Sequence, residues 1–250
     1  MQHADVLVVL AAGTGTRLGS LTATTPKWLL DVGGNRVADR QLGALGDVFD
    51  LDRRLLVVTG HGAEEVGPFL RGRGLPPNCT LFNEQYATRN NWYSALVALR
   101  ACLSADTERV YLLNSDLYAP AALYRTFVRE SRTAGAGACL AIDSSHQLTD
   151  EAMKVQVEDG RVVDIGKVGV AAPVGEYVGM LMLDRATALR FRELLEDWAT
   201  GDRDPNGWYE TVIRDGLLSE VVCRPVEVGG AAWVEIDDTA DLERAASVGA

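Results

Sequence analysis

The chain has 250 residues, 47% of them hydrophobic, and a formal net charge of −11. That length suits one large domain, or a domain carrying a small insertion, with enough apolar material for an ample core. The acidic balance argues against nucleic acid or an anionic membrane as a partner, since each demands a basic surface, and no stretch is apolar for long enough to span a bilayer.

The first predicted element is residues 6–10, five apolar residues in a block short and β-branched enough for a buried strand. Asp5 abuts it and no basic segment precedes it, so a strand is expected there and not a signal peptide. After Leu10 come Ala11, Ala12, Gly13, Thr14, Gly15 and Thr16, all small, so the backbone can approach a ligand and turn its N–H groups toward an anion. Arg17 and Lys27 frame this phosphate cradle with a planar fork and a point charge. Two familiar loops fail on counting. Leu18 stands where a Walker A loop needs Gly-Lys, and Gly13, Gly15 and Gly19 are spaced G-x-G-x-x-x-G, one residue too wide for a dinucleotide fingerprint.

Val37, Leu42, Leu45 and Phe49 predict a helix, residues 55–59 a second buried strand, 64–70 a short helix and 80–82 a short strand. From Asn91 onward, Trp92, Leu96, Leu99 and Leu103 mark one helical face. Residues 110–113 form the next strand, ending at Asn114-Ser115-Asp116, followed by a helix over 121–132 and a strand over 138–142. This alternation predicts an α/β fold: a single Rossmann-like, doubly wound, mostly parallel sheet, with ligands gathered beyond the carboxyl ends of its strands. The cradle and Asp116 both fall at such ends.

The pattern changes near Ser144. Val155 and Val157 alternate with polar residues, Asp159-Gly160 makes a turn, and Val162, Val163 and Ile165 follow, so residues 154–167 predict an antiparallel hairpin. It belongs to an insertion at about 144–175 and could form a flap over an acceptor. Beyond it come a strand over 177–183, a helix over 186–198, a turn-rich loop, a helix over 208–217, and strands over 221–228 and 233–236. Thr239 is the expected cap of a last helix whose Leu242, Ala245 and Ala246 face inward. Without repeats or linkers, residues 1–250 are expected to form one domain. Cys79, Cys102, Cys139 and Cys223 lie far apart with no C-x-x-C pair, which suggests neither zinc nor disulfides and fits a cytoplasmic protein.

The run Leu10-Ala11-Ala12-Gly13-Thr14-Gly15-Thr16-Arg17-Leu18, with Pro26-Lys27-Trp28-Leu29, resembles the signature of nucleotidyltransferases of the sugar-nucleotide pyrophosphorylase superfamily (the nucleotide-diphospho-sugar transferase fold). The resemblance implies that the small loop and Arg17 hold the triphosphate of an incoming NTP while Lys27 approaches the reacting phosphates. The implied reaction is attack of an acceptor phosphate oxygen on the α-phosphorus, with pyrophosphate leaving. Such an acceptor is already largely ionised at neutral pH, its second pKa being about 6, so no protein base is required. His3, His61 and His146 are isolated in the sequence, and no serine sits in a G-x-S-x-G elbow. What the reaction needs is Mg²⁺, cations and in-line positioning.

Asp116 and Asp237 are the candidate Mg²⁺ ligands, since each falls at a strand end and the resemblance assigns the same pair. Acids beside Thr239 could instead favour a helix amino terminus. Other members of the superfamily carry D-x-D where this chain has Asn114 first, which leaves the full ligand set open.

Asn83-Glu84-Gln85-Tyr86-Ala87-Thr88-Arg89-Asn90-Asn91-Trp92-Tyr93-Ser94 resembles the N-x-x-Y-x-x-x-N-N-x-x-S pattern of the phosphocholine and related cytidylyltransferases. Asn90, Asn91 and Ser94 are therefore candidates for nucleotide binding, and the asparagines suit either a base edge or a helix cap. Lys154 and Lys167 could clamp an acceptor phosphate or stand idle on the hairpin. Tyr177, Trp208, Tyr209 and Glu210 would suit an aminated acceptor, with aromatic faces and a carboxylate for an ammonium, although Tyr209 could equally pack in a core.

The expected function is a Mg²⁺-dependent cytidylyltransferase joining CMP from CTP to a small phosphorylated or phosphonylated acceptor, phosphocholine-like or an aminoalkyl phosphonate. A sugar-1-phosphate nucleotidylyltransferase using UTP, dTTP or GTP is the nearest alternative, and a non-catalytic nucleotide-sensing module the alternative from another class. Monomer and homodimer both remain open.

Overall fold

The computed structural model describes residues 4–248; His3 lies outside them. In chain order, β1 (Asp5–Ala11) leads through the 3-10 turns Thr16–Thr22 and Lys27–Leu29 into a ribbon of β2 (Asp31–Val32) and β3 (Asn35–Arg36). Then follow α1 (Val37–Leu45), α2 (Leu51–Arg54), β4 (Leu55–Thr59), α3 (Ala63–Gly72), β5 (Thr80–Phe82) and α4 (Asn91–Cys102). The middle runs β6 (Arg109–Asn114), β7 (Leu117–Tyr118), α5 (Ala121–Thr133), β8 (Ala138–Asp143), β9 (Lys154–Glu158) and β10 (Arg161–Gly166). The last part comprises β11 (Gly175–Asp184), α6 (Arg185–Thr200), α7 (Tyr209–Asp215), β12 (Cys223–Glu227), β13 (Val234–Glu235) and α8 (Thr239–Ala245).

All seven residues of β1 are buried because both faces of the sheet are covered. Leu7, Val9 and Ala11 point to one core with Val37, Leu45 and Phe127 of α1 and α5. Val6, Val8 and Leu10 point to the other, with Trp92, Phe191 and Tyr209 of α4, α6 and α7. The sheet order is β10-β9-β11-β6-β1-β4-β5, and β8 pairs with both β11 and β12. Strands β6, β1, β4 and β5 are mutually parallel, as are β8 and β12, whereas β11 runs antiparallel between them. The central parallel layer is the doubly wound fold expected from the alternation.

The register of β11 against β8 shifts between Tyr177 and Leu181. Gly179 takes φ +75° inside this break, and a Cβ there would lie 2.9 Å from Nδ2 of Asn114, so only glycine lets β11 pass so close to the end of β6.

Three expectations need correction. The hairpin of β9 and β10 forms where its alternation placed it, but it is not a free flap: β9 pairs with β11 through Gly175 and Glu176, and Val155, Val162 and Ile165 sink into the core. The cap of α8 is Asp238, whose carboxylate accepts from the Asp241 amide at 2.9 Å while Asp241 returns the bond, so Thr239 is the first helical residue. Ala245 is buried and Leu242 half-buried, but Ala246 is exposed. Among the described residues, no helix is long and apolar enough to cross a membrane.

Candidate active site

A cleft of about 520 Å³ opens beyond the carboxyl ends of β1 and β6, lined by the cradle, the Asn83–Ser94 region, Asp116, Asp237 and the α7 entrance. The cradle is shaped by close backbone contacts. Gly15 adopts φ +60°, and the Thr22 hydroxyl donates to its carbonyl at 2.8 Å. A Cβ on Gly13 would meet nothing within 4 Å, so this loop presents bare backbone to open space. Leu10, Ala12, Gly13, Thr14, Gly15 and Thr16 line the cleft, while Ala11 turns its methyl into the core.

At the centre of the cleft, Lys27 Nζ lies 2.7 Å from Asp237 Oδ1 and 3.3 Å from Asp116 Oδ2, and Arg17 Nη2 lies 2.6 Å from Asp237 Oδ2. Four residues from distant parts of the chain thus meet. Burial would depress the Lys27 ammonium, but the two carboxylates outweigh it and its pKa is raised. Burial likewise opposes ionisation of Asp237, but Lys27 and Arg17 hold its pKa below the usual carboxylate range.

The geometry rests on a residue that the sequence did not single out. Gln41 of α1 is fully buried; its Oε1 accepts from Trp28 Nε1 at 2.9 Å, and its Nε2 donates to the carbonyls of Asn114 and Leu117 at 3.0 and 2.9 Å. One amide therefore joins the turn that carries Lys27 to both ends of the turn that carries Asp116. Ile236 N donates to Asp116 O at 3.0 Å, which brings Asp237 alongside.

On the base side, Asn83 Nδ2 donates to Ser94 Oγ at 3.0 Å beneath the cleft floor. Asn90 does cap α4, its Oδ1 accepting from Asn91 N at 2.7 Å while Nδ2 reaches Asn206 O at 2.9 Å. Asn91 bridges to α7, with Oδ1 accepting from Tyr209 N at 3.0 Å and Nδ2 facing Glu210 Oε2 at 3.5 Å. Asn90, Asn91 and Ser94 all line the cleft.

The acceptor side is sorted by burial. Tyr177 lines the cleft, and its hydroxyl shares a 2.7 Å hydrogen bond with that of Tyr209. Tyr209 itself is buried among the core residues behind them and donates to Asn114 Oδ1 at 3.1 Å. Its packing role prevails because the ring is fully buried in the core cluster, edge-to-face with Tyr177. Lys154 also leaves the site: its ammonium donates to the carbonyls of Asp150, Ala152 and Lys167, tying the hairpin base together. Lys167 stays at the cleft wall, paired with Glu151 at 3.0 Å and 5.3 Å above the ring centre of the exposed Trp208. Glu210, 3% exposed, has its pKa pushed up to about 7, by burial first. Glu235, across the cleft, is raised well above the carboxylate range by burial and then by Asp116 and its other acidic neighbours. Glu151 and Glu235 were missed as site residues; the alternation within 233–237 was the one signal that could have found Glu235.

The profile of the MobA-like NTP transferase domain matches residues 7–211. The chain belongs to this family. It is 30% identical over 94% of its length to the bifunctional IPC transferase and DIPP synthase of Rubrobacter xylanophilus, covering 49% of that protein. It is also 30% identical over 95% of its length to the CMP-5'-(3-aminopropyl)phosphonate synthase of Streptomyces rubellomurinus, covering 38% of it. The chain thus spans half or less of the length of these relatives. The fold is shared with the CTP:phosphocholine cytidylyltransferase of Streptococcus pneumoniae, at a TM-score of 0.76 and 24% identity over 96% of this chain and 98% of that one.

Within this NTP transferase the carboxylate pair fits a magnesium ion. Mg²⁺ is commonly held by one or two carboxylates, with water and substrate phosphates completing its octahedron. Asp116 and Asp237 already share one cation, the Lys27 ammonium, and Asp116 Oδ1 is buried without a hydrogen-bond partner. Among the described residues, no group of three or more His, Cys, Asp or Glu side chains is assembled to hold a metal, so a site depending on protein ligands alone is not built.

Proposed function

We propose that this domain is a Mg²⁺-dependent cytidylyltransferase that transfers CMP from CTP to a small phosphorylated or phosphonylated acceptor bearing a cationic group, releasing pyrophosphate. The observation that carries the reading is the chemistry of the cleft lining. Arg17, Lys27 and a bare-backbone loop offer a triphosphate positive charge and amides, and Glu210 and Trp208, which line the same cleft, offer a carboxylate and an aromatic face that would stabilise an ammonium. The names of the Streptomyces and Streptococcus relatives support CTP and a phosphonate or phosphate acceptor with an amine or choline group.

In this reading Asp116 and Asp237 hold the metal, which neutralises charge on the phosphates and orients them. The cradle amides and Arg17 bind the triphosphate. Lys27 offsets charge that develops on the reacting phosphates, and Lys167 holds the acceptor's anionic group facing the α-phosphorus. The acceptor oxygen forms a bond to that phosphorus as the bond to the β-phosphate bridge breaks, and the electron pair leaves with pyrophosphate. No proton has to be removed from an acceptor that is already ionised.

The test is pyrophosphate release with Mg²⁺ and each NTP against phosphocholine, phosphoethanolamine, 2-aminoethylphosphonate, glycerol phosphate and hexose 1-phosphates. Turnover with CTP and an aminated acceptor is expected. Turnover confined to a hexose 1-phosphate with UTP, dTTP or GTP would move the domain to the sugar branch, and CTP binding without any turnover would leave either an acceptor outside this panel or a sensor.

A further inference from the structure

Asp143 ends β8 outside the cleft lining, yet its carboxylate is the most heavily hydrogen-bonded acid among the described residues. Its side chain is 0% exposed. It accepts from Ser145 N at 2.8 Å, Ser145 Oγ at 2.6 Å, His146 Nδ1 at 2.5 Å and Trp233 Nε1 at 2.6 Å. A buried carboxylate is costly unless such donors surround it, and here burial is outweighed by the Ser145 and Trp233 bonds, so the group stays ionised.

The surroundings are built to this contact. A Cβ on Gly229 would lie 2.5 Å from Asp143 Oδ1, and one on Gly175 would lie 2.7 Å from the Asp143 carbonyl. Glu227 accepts from Ser144 N and Oγ at 3.2 and 2.8 Å, and Gly230 N donates to Ser145 Oγ at 3.3 Å, so the loop after β8 and the loop after β12 are stitched together.

Each loop leads directly to the cleft. Four residues beyond Trp233 stands Asp237, on the segment whose Val234 and Glu235 pair with β7 and whose Ile236 bonds to Asp116. Eight residues beyond Asp143 stands Glu151, which holds Lys167 at 3.0 Å, and then Met153, whose carbonyl accepts from Tyr177 N at 2.8 Å. One carboxylate thus touches the roots of both banks.

We propose that Asp143 is a positioning residue that sets the two banks of the cleft relative to each other, holding the Asp237 segment through Trp233 and the Glu151–Lys167 wall through Ser145 and His146. This rests on the reading of the cleft as joining a nucleotide to an acceptor. Because the two arms leave Asp143 separately, they can be cut separately, and a general structural role would not divide their effects.

The experiment compares D143N, W233F and H146A with the unaltered protein by hydrogen exchange and by steady-state kinetics with CTP and the best acceptor. W233F is expected to speed exchange over residues 234–237 and to lower kcat by roughly tenfold, with acceptor KM within about twofold, since small displacements of a reacting group cost large factors. H146A is expected to speed exchange over 144–151 and raise acceptor KM by roughly fivefold, with kcat within about twofold. D143N should do both, and CTP affinity should hold within about twofold throughout. His146 is half-exposed, so H146A stays informative if D143N folds poorly. Equal effects of W233F and H146A on the same segment and the same constant would overturn the proposal, as would unchanged exchange in both. If the unaltered protein turned over no acceptor, the cytidylyltransferase reading would fall alone, and the exchange pattern would still decide the role of Asp143.

Discussion

Lys27 Nζ lies 2.7 Å from Asp237 Oδ1, so the cation expected to face the reacting phosphates is paired, in the free protein, with a carboxylate expected to hold the metal. The two functions compete until a triphosphate arrives to take the ammonium and free the carboxylate. Divalent-ion affinity should therefore be low without nucleotide and rise with it. For Lys27→Met, Mn²⁺ binding to the nucleotide-free protein, followed by paramagnetic resonance, is expected to tighten, while turnover falls by about 100- to 1,000-fold, the scale for losing one preorganised charge-stabilising group. Unchanged Mn²⁺ affinity would mean that Lys27 does not compete with the ion.

Asp116 Oδ1 is buried without a hydrogen-bond partner, which leaves it free to bind the proposed metal. Asp116→Asn keeps the shape and removes the charge, so turnover should vanish while the circular dichroism spectrum and melting curve stay close to those of the parent. Persistent turnover would remove Asp116 from the metal site.

Arg17 is 60% exposed, lines the cleft and pairs with Asp237. Its loss should leave stability nearly unchanged, because exposed ion pairs contribute little. Arg17→Ala is expected to weaken CTP by roughly tenfold, corresponding to one charge-assisted hydrogen bond to a phosphate. Calorimetry showing equal CTP affinity would overturn its place in the cradle.

The sheet and the cradle were legible because they are local. The apolar run of β1, the small residues after it and the strand-end position of Asp116 all lie within short windows whose periodicity reports burial on two faces. Asp238 was misread for the same reason: Thr239 and Asp238 are both good caps, and the choice depends on the return bond from Asp241. The roles of Gln41 and Lys154 were not legible, and for Tyr209 the sequence left core packing and acceptor contact open. Each is fixed by partners brought in by folding, 73 and 76 residues away along the chain in the two carbonyl bonds of Gln41. Lys154 reads as an exposed hairpin lysine until three carbonyls converge on its ammonium, and a Trp-Tyr-Glu run does not say which ring faces solvent.

Glu210 provides a pH test. Its folded pKa, pushed up to about 7, lies above the ordinary value of 4.5, so the folded state holds the proton more tightly than the unfolded state. Stability from this group is present below about pH 4.5 and is lost as pH rises through about 7, a decline of roughly 3 kcal/mol across that window. Glu210→Gln should flatten the decline in urea melts between those limits. An ionised Glu210 also favours a cationic acceptor, so KM for an aminated acceptor should fall as pH rises from about 6 to 8, and that trend should disappear in the variant. A KM indifferent to pH in the parent would remove Glu210 from the acceptor pocket.

Gln41 links stability and catalysis through one amide. Gln41→Leu has nearly the same volume but strands the Trp28 indole N–H and the carbonyls of Asn114 and Leu117, although Leu117 O keeps its bond from the Tyr124 hydroxyl at 2.7 Å. Each buried group left unpaired costs about 1–3 kcal/mol, so a loss of roughly 3 kcal/mol in chemical denaturation is expected. The turn carrying Asp116 would loosen relative to Lys27, and kcat should drop by about tenfold or more even in the fraction that remains folded. Gln41→Glu separates the two effects. A carboxylate can still accept from Trp28 but cannot donate to the two carbonyls, so it should repair the Trp28 end alone and leave kcat low. Full activity in Gln41→Glu would show that the Asp116 turn holds its place without the amide.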